Sequence, residues 1–266
     1  WRPHPILRSV DFPSTCRCVE SGPVRATLEI RTRMRVPRCL EGERRSRATV
    51  ELELVSRVSL CRGARRVDVA LTFDNQACDH RLRLKCPTGL ASDAVLSQGH
   101  FGILRKPIRN PDEGQTGWSQ PPPTTFHFRE WVAVSERRCG LALACRGLYE
   151  YESRRSPRGV DLYVTLMRGI GRMGRAGLKT RACVTSPTTP TPGAQCRGTQ
   201  SFDYSFVPYT AGKGGRLAPF ESQVLAFLYP PIAHQADPGH ILAEEAVLKQ
   251  RGRAPEAAPA FRVEPG

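Results

Sequence analysis

Hydrophobic and polar residues alternate along much of the first third of the chain. The apolar positions of the first alternating segment are Val24, Ala26, Leu28, Ile30, Met34 and Val36. The residues between them are mostly arginine, and similar segments follow from Val50 to Leu60 and from Val67 to Phe73. Because successive side chains of a strand point to opposite faces, this period of two predicts strands with one buried face and one polar, outward face.

The connections between these segments predict how the strands are joined. The stretch from Cys61 to Arg65 has the length of a hairpin loop, in which Gly63 supplies the positive φ that such loops need. After a turn from Asp74 to Asp79, the alternation of Leu82, Leu84 and Cys86 predicts another strand. These segments together predict an antiparallel meander.

Strand patterns continue through the rest of the chain. We expect strands at Phe126 to Val134, Leu141 to Leu148, Val160 to Leu166, Phe202 to Val207 and Gln223 to Leu228. Residues 109–125 and 169–198 are rich in Pro and Gly and are predicted to be long surface loops. A short helix is expected from Ile241 to Gln250. The fold class predicted is therefore all-β and antiparallel.

The domain organisation predicted has three parts. Residues 1–23 are interpreted as an entry segment from a preceding domain, and residues 24–230 as the main antiparallel β-sandwich domain. Residues 231–266 are interpreted as an extended, truncated C-terminal segment. The chain opens at Trp1 without an initiator Met, so we expect it to be part of a longer protein.

Composition changes this picture little. The net charge is +15, but only five of the 40 basic residues are Lys and the cations are scattered, so we expect no nucleic-acid partner. No apolar run approaches the roughly 18 residues of a membrane span, so no membrane partner is expected. The ten cysteines are irregularly spaced and fit reduced, small hydrophobic residues of a cytoplasmic protein.

The neighbours Asp79 and His80 are the first candidates for chemistry, because an Asp can orient a His and raise its basicity. In an extended strand, however, their side chains would point apart. We therefore favour a structural role in which Asp74, Asn75 and Asp79 cap the turn and the later Arg81 and Arg83 are exposed. No nucleophile elbow, paired carboxylates or metal-ligand spacing is found, so no catalytic residue and no metal ligand is predicted in this chain.

The best candidates for substrate contacts are a group of cations and one aromatic residue. Arg168 ends the alternating run of Leu162, Val164 and Leu166, on the side predicted to be buried, where a cation needs a partner or a cleft. The predicted substrate-binding residues are Arg168, Arg172, Arg175 and Tyr149. For each arginine the alternative is an ion pair with one of the acidic residues Glu150, Glu152 and Asp161. For Tyr149 the alternative is a half-buried strand position.

Four motifs in fixed order carry a family resemblance: Asp74 to Leu84, Val164 to Arg175, Thr191 to Gln195 and Phe202 to Phe206. Over roughly residues 24–209 the chain resembles the C-terminal β region of glycoside hydrolase family 38, which comprises α-mannosidases and mannosylglycerate hydrolases. The resemblance implies a supersandwich-like fold, similar to galactose mutarotase. It also implies that an arginine near the end of the Val164 strand donates hydrogen bonds to sugar hydroxyls.

The resemblance further implies a retaining α-mannosidase whose carboxylates and zinc, or a similar divalent metal, lie in an upstream catalytic domain. The chain itself is then a non-catalytic region that shapes the substrate cleft, binds no cofactor and is inactive alone. Its partners would be the upstream catalytic domain, a mannoside and, as an open possibility, a second copy in a homo-oligomer. The alternative is a stand-alone carbohydrate-binding or scaffolding β module.

Overall fold

The computed structural model describes residues 6–42, 44–109, 112, 117, 122–175, 186–210 and 218–231. The chain divides into two compact units, Trp1–Pro230 and Pro231–Gly266, and the strands and the helix described here belong to the first. The helix expected from Ile241 to Gln250 lies outside the described residues, and the three-part organisation stays a prediction. Among the described residues no helix is long and apolar enough to cross a membrane.

The described part of the chain is built almost entirely of strands, numbered β1 to β15 in chain order. They are Ser14–Ser21, Arg25–Pro37, Leu40–Glu41, Arg44–Arg45, Thr49–Cys61, Val67–Asn75, Arg81–Pro87, Ala94–Gln98, Ile103–Pro107, Thr125–His127, Trp131–Glu136, Cys139–Cys145, Glu150–Ser156, Gly159–Arg168 and Gly198–Thr210. One α-helix, α1, spans Ala218–Leu228. Short 3-10 turns cover Ser9–Asp11 and Pro192–Gln195.

Two antiparallel sheets form a sandwich. The large sheet has nine strands in the order β1-β2-β5-β6-β15-β12-β11-β8-β9, and the small sheet has four in the order β10-β13-β14-β7. Met34, Leu52 and Phe73 of the large sheet share a core with Tyr151 and Leu162 of the small sheet. The predicted all-β, antiparallel fold class is confirmed.

The predicted meander is only partly right. Strands β5 and β6 form the expected hairpin, with Gly63 at φ 79° in its loop. Strand β7, however, does not pair with β6; it crosses to the small sheet and pairs with β14. The crossing begins at Asp79, a non-glycine residue at φ 58°, which turns the chain out of the large sheet.

The segment from Gln223 to Leu228, expected to be a strand, belongs to helix α1. Its apolar residues Phe220, Val224 and Phe227 are spaced four and three apart, which places them on one helical face. They form a second core with Trp131 and Val207 on the outer side of the large sheet. The rings of Trp131 and Phe220 meet edge to face, 4.9 Å apart. This contact makes the helix the cover of that face.

The alternation of β2 is retained, but its burial is not as expected. Near the start of the strand Val24 and Leu28, expected in the core, are exposed. On the opposite face Glu29, expected to be solvated, is 1% exposed. The small sheet does not reach this end of β2, so position on the core side does not guarantee burial there.

Glu29 is covered by arginines rather than by apolar residues. Its carboxylate accepts hydrogen bonds from Arg17 at 2.8 Å, from Arg31 at 2.9 Å and from Arg57 at 3.1 Å. The bond from Arg31, followed by that from Arg17, lowers the pKa of Glu29 to about 2. The outer face of β1, β2 and β5 therefore carries charges that are paired with one another.

Candidate functional site

Asp79 is the centre of a set of hydrogen bonds that joins three parts of the chain. Its N–H donates to Oε1 of Gln195 at 2.8 Å, and Nε2 of Gln195 donates back to Asp79 Oδ1 at 2.7 Å. The N–H of Leu40 donates to Asp79 Oδ2 at 3.2 Å, and Arg45 donates to the Asp79 carbonyl at 2.7 Å. We refer to these contacts as the Asp79–Gln195 junction.

Asn75, at the end of β6, also contacts Gln195 and so extends the Asp79–Gln195 junction. Its side chain is fully buried, and its Nδ2 donates to the carbonyls of Gln195 at 3.2 Å and Cys196 at 2.8 Å. Its Oδ1 accepts from the N–H of Ala77 at 3.2 Å. A buried amide whose groups are bonded in this way fixes the loop before β15 against the loop after β6.

The glycines after β14 lie directly against the junction. A Cβ on Gly169 would approach Gln195 Oε1 to 2.8 Å, and one on Gly171 would approach Gln195 Nε2 to 3.0 Å. A Cβ on Gly174 would come within 2.2 Å of the Ser186 carbonyl. Gly169, Gly171 and Gly174 have the spacing Gly-x-Gly-x-x-Gly that also occurs in phosphate-binding loops, but here close packing of the backbone against Gln195 and Ser186 explains the three glycines.

The structure favours a structural role for Asp79, as the sequence interpretation did. The Asp79 carboxylate bonds to Gln195 and Leu40, whereas neither ring nitrogen of His80 has a hydrogen-bond partner among the described residues. Burial lowers the pKa of His80, so its neutral form is favoured. The His80 carbonyl accepts from the N–H of Gly169 at 2.8 Å, which ties β7 to the end of β14.

Arg168 lies at the last position of β14, but not on the face expected. The register with β7 shifts between Thr165 and Met167, so Met167 is buried and Arg168 is exposed. A bulge of this kind reverses which residues face the core beyond it. Arg168 is the cross-strand partner of Arg81, and two cations therefore stand side by side on the outer face of the small sheet.

Glu150 is the carboxylate next to this pair of arginines. It forms an ion pair with Arg81 and accepts a hydrogen bond from Thr165 at 2.6 Å. Burial alone would raise the pKa of Glu150, but the Thr165 hydrogen bond and the charges of Arg81 and Arg168 together lower it. Arg81 and Thr165 bind this carboxylate directly, and Arg168 acts on it through its charge.

The acidic residues considered as alternatives for the arginines are paired with other cations. Glu152 lies 2.6 Å from Arg83 and 2.8 Å from Arg154, and Asp161 lies 2.9 Å from Lys85. The expectation that Arg81 and Arg83 are exposed is confirmed for Arg81 and wrong for Arg83, whose side chain is only 18% exposed. The charges of the small sheet thus form cross-strand pairs around the ring of Tyr163, which lies 4.5 Å from the Arg83 guanidinium.

The other predicted site residues have different surroundings. Arg172 is exposed and its guanidinium donates to the Thr188 carbonyl at 3.1 Å, which ties it to the facing loop. Arg175 is exposed at the end of a described segment. Tyr149, just before β13, is 60% exposed and adjoins Glu150, so the half-buried alternative is wrong. Of these four residues, Arg168 is close enough to the Glu150 carboxylate for its charge to lower the pKa of that group, and Tyr149 precedes Glu150 in the chain.

Sequence reasoning gave no role to Gln195 and expected Asn75 only to cap the turn, which its bond to the Ala77 N–H does, although both residues belong to the motifs that carry the resemblance. Gln195 bonds to Asp79 across 116 residues and to Asn75 across 120 residues, and no local sequence pattern indicates contacts between such distant positions. Within the described residues, no group of three or more His, Cys, Asp or Glu side chains is placed to hold a metal ion. These residues do not fit a zinc site.

No protein-family model matches the chain. A sequence relationship is found with a curated protein of Halalkalibacterium halodurans named "Putative mannosylglycerate hydrolase". The two are 28% identical over 212 residues, which cover 74% of this chain and 22% of that protein. The chain is thus homologous to that protein over most of its own length.

Two crystal structures from Enterococcus faecalis share the fold. One is a protein in glycosyl hydrolase family 38, with a TM-score of 0.66 and 22% identity, and the match covers 82% of this chain and 25% of that one. The other is an α-mannosidase, with a TM-score of 0.68 and 22% identity, covering 85% and 26%. The chain spans about a quarter of the length of these proteins. The predicted resemblance is confirmed by the homology and by the fold.

Proposed function

We propose that the chain is the C-terminal, non-catalytic β region of a longer glycoside hydrolase that cleaves α-mannosides. The observation that carries this proposal is the sequence relationship over 212 residues to a protein named as a mannosylglycerate hydrolase, of which the match spans only 22%. The shared fold with an α-mannosidase supports it. The proposal assigns most of the working enzyme to sequence outside this chain.

The chemistry of a retaining glycosidase agrees with this division of labour. Such enzymes use two carboxyl groups about 5 Å apart, one as nucleophile and one as acid and then base. The acidic residues of the small sheet do not fit these roles, because Glu150, Glu152 and Asp161 are each held by cations of the same sheet. We therefore place the nucleophile, the acid and the zinc ligands in the upstream catalytic domain.

The role proposed for this chain is to close one side of the substrate cleft. Arg168 and Tyr149 are both exposed; the charge of Arg168 acts on the Glu150 carboxylate, and Tyr149 precedes Glu150 in the chain. An exposed guanidinium donates hydrogen bonds to sugar hydroxyls, and an exposed aromatic ring offers its face to a sugar ring. The Asp79–Gln195 junction fixes the backbone that follows Arg168, which keeps the guanidinium in place.

The proposal is tested by expressing the 266-residue chain alone and the longer polypeptide that contains it. We expect the chain alone to be inactive on an aryl α-mannoside, with or without added zinc, and the longer polypeptide to hydrolyse it. Turnover by the purified chain alone would contradict the division of labour. A longer polypeptide that binds mannosides without hydrolysing them would favour the carbohydrate-binding module instead.

A further inference from the structure

The core side of the large sheet is covered along only part of its length. Near one end of β2 and β5, the cross-strand pair Met34 and Leu52 is 4% and 1% exposed beneath the small sheet. Toward the other end, on the same face, Leu28 is 45% exposed and Leu60 is 52% exposed. Val24, just before β2, is 70% exposed. The apolar row on the core side of β2 and β5 therefore continues beyond the edge of the small sheet that covers Met34 and Leu52.

The edge strand β1 extends this uncovered face. Cys18 pairs with Leu28 and Cys16 pairs with Ile30, so both thiols lie on the core side of the sheet, and both are exposed. We call the residues Val24, Leu28, Leu60, Cys16 and Cys18 the overhang patch.

The overhang patch ends in a shallow groove of about 360 Å³ between two hairpin turns. The residues that line it are mostly small or apolar: Gly22, Pro23, Val24, Arg25, Ala26, Leu60, Cys61, Arg62, Gly63 and Ala64. The groove is large enough for apolar side chains; of its two arginines Arg25 is paired with Glu20 at 2.7 Å, and Arg62 suits an acidic group at the rim of a contact. This lining is therefore suited to protein rather than to a small polar ligand.

The opposite face of the same strands has the reverse character. There the Glu29 carboxylate is bound by Arg17, Arg31 and Arg57, and Glu53 pairs with Arg33 at 3.1 Å. One side of this end of the sheet is thus a paired charge network, and the other is exposed and apolar. Contiguous exposed apolar surface on a protein marks a contact site.

We propose that the overhang patch packs against the part of the longer polypeptide that lies outside this chain. The proposal rests on the proposed function only in taking the chain to be part of a longer protein. The matches cover 22% to 26% of the longer proteins, so about three quarters of such a polypeptide is available to cover the patch. A tethered partner also has a high effective concentration, which favours it over a second copy of the chain.

The natural cysteines provide a test that needs no substitution. We would label native protein with iodoacetamide and follow each cysteine by peptide mass spectrometry. In the 266-residue chain alone, Cys16, Cys18 and the control Cys139, which is exposed on β12, should all be labelled. Of these three cysteines, Cys139 alone should remain reactive in the longer polypeptide. Labelling of Cys16 and Cys18 in the longer polypeptide would overturn the proposal.

A pair of matched variants tests the same contact by stability. Leu60 and Leu225 are 52% and 50% exposed, so replacing either with Asp should leave the melting temperature of the chain alone nearly unchanged. In the longer polypeptide L60D should lower the melting temperature and L225D should not. If both variants leave the melting temperature of the longer polypeptide unchanged, the proposal is overturned. It is also overturned if Cys16 and Cys18 of the isolated chain become protected from labelling as the concentration of that chain rises, because a second copy would then cover the patch. Neither experiment measures activity, so failure of the proposed contact can be distinguished from failure of the proposed α-mannosidase function.

Discussion

Asp79 and Gln195 are 116 residues apart in the sequence and exchange two hydrogen bonds in the fold. Gln195 is 9% exposed, so water does not readily replace its side chain as a partner. The exchange joins the turn after β6 to the loop before β15. Since Gly169 and Gly171 pack on the same glutamine, it also sets the backbone that follows Arg168.

Replacing Gln195 with Ala should destabilise the chain. The variant leaves the Asp79 N–H and one carboxylate oxygen without their partner, which should lower the free energy of unfolding by about 1–3 kcal/mol. Chemical denaturation followed by circular dichroism measures the difference. The control is Gln200→Ala, because within the described part of the chain that side chain makes a single long bond, 3.5 Å to the Gly198 carbonyl. Equal stability of the two variants would show that the junction contributes nothing specific.

His80 should make the stability depend on pH near neutrality. Burial lowers its pKa in the folded state, so the unfolded chain binds a proton first as the pH falls. Stability is therefore complete above the unfolded value of about 6.5 and declines as the pH falls below it. Asp79 and Arg45 are the charged neighbours whose fields also act on this ring.

Denaturation curves at pH 7.5 and at progressively lower pH measure this dependence. In His80→Leu the decline just below about pH 6.5 should be smaller than in the wild type, whereas His127→Leu, at an exposed position, should retain it. A wild-type slope in His80→Leu would assign the dependence to another group.

Glu29 should act in a more acidic range. Its pKa in the folded state is held at about 2 by the arginines around it, below that of an unfolded glutamate. Its contribution to stability is present above the unfolded value of about 4.3 and is lost as the pH falls toward the folded value. Acid unfolding should therefore begin at a higher pH in Glu29→Gln than in the exposed control Glu51→Gln. Coincident acid transitions of the two variants would refute this role.

The outcome for individual segments shows what the sequence pattern can predict. Alternation identified β2, β5, β6 and β14 as strands, because side-chain direction is a local property of extended backbone. It placed β7 in the wrong sheet, since the crossing at Asp79 depends on contacts with Leu40, Arg45 and Gln195. It also placed Arg168 on the buried side, because the bulge between Thr165 and Met167 shifts the register and the alternation of residue types does not reveal a bulge.

Burial was the least predictable property. Val24 and Leu28 lie on the core side as expected, yet both are exposed because the small sheet ends before it reaches them. Glu29 shows the converse, a carboxylate enclosed by three arginines from three strands. The family motifs indicated the region of the candidate site and the sequence indicated the capping role of Asn75, but the bonds from Asn75 to the loop before β15 and the role of Gln195 required the fold.

The central claim is that Arg168 contacts the substrate in the longer enzyme, and the most direct test is the catalytic efficiency of Arg168→Ala. Loss of a charge-assisted hydrogen bond to a sugar hydroxyl should lower kcat/KM by about 1.5–3 kcal/mol, roughly tenfold to a hundredfold. The matched control is Arg155→Ala, at the opposite end of the same sheet, where the guanidinium lies 2.6 Å from Asp93 and is 59% exposed. Loss of that exposed pair should cost about 0–1 kcal/mol of stability and leave kcat/KM unchanged. We expect a lower kcat/KM for Arg168→Ala alone, with little change in melting temperature; an unchanged kcat/KM with a lowered melting temperature would show that Arg168 does not contact the substrate.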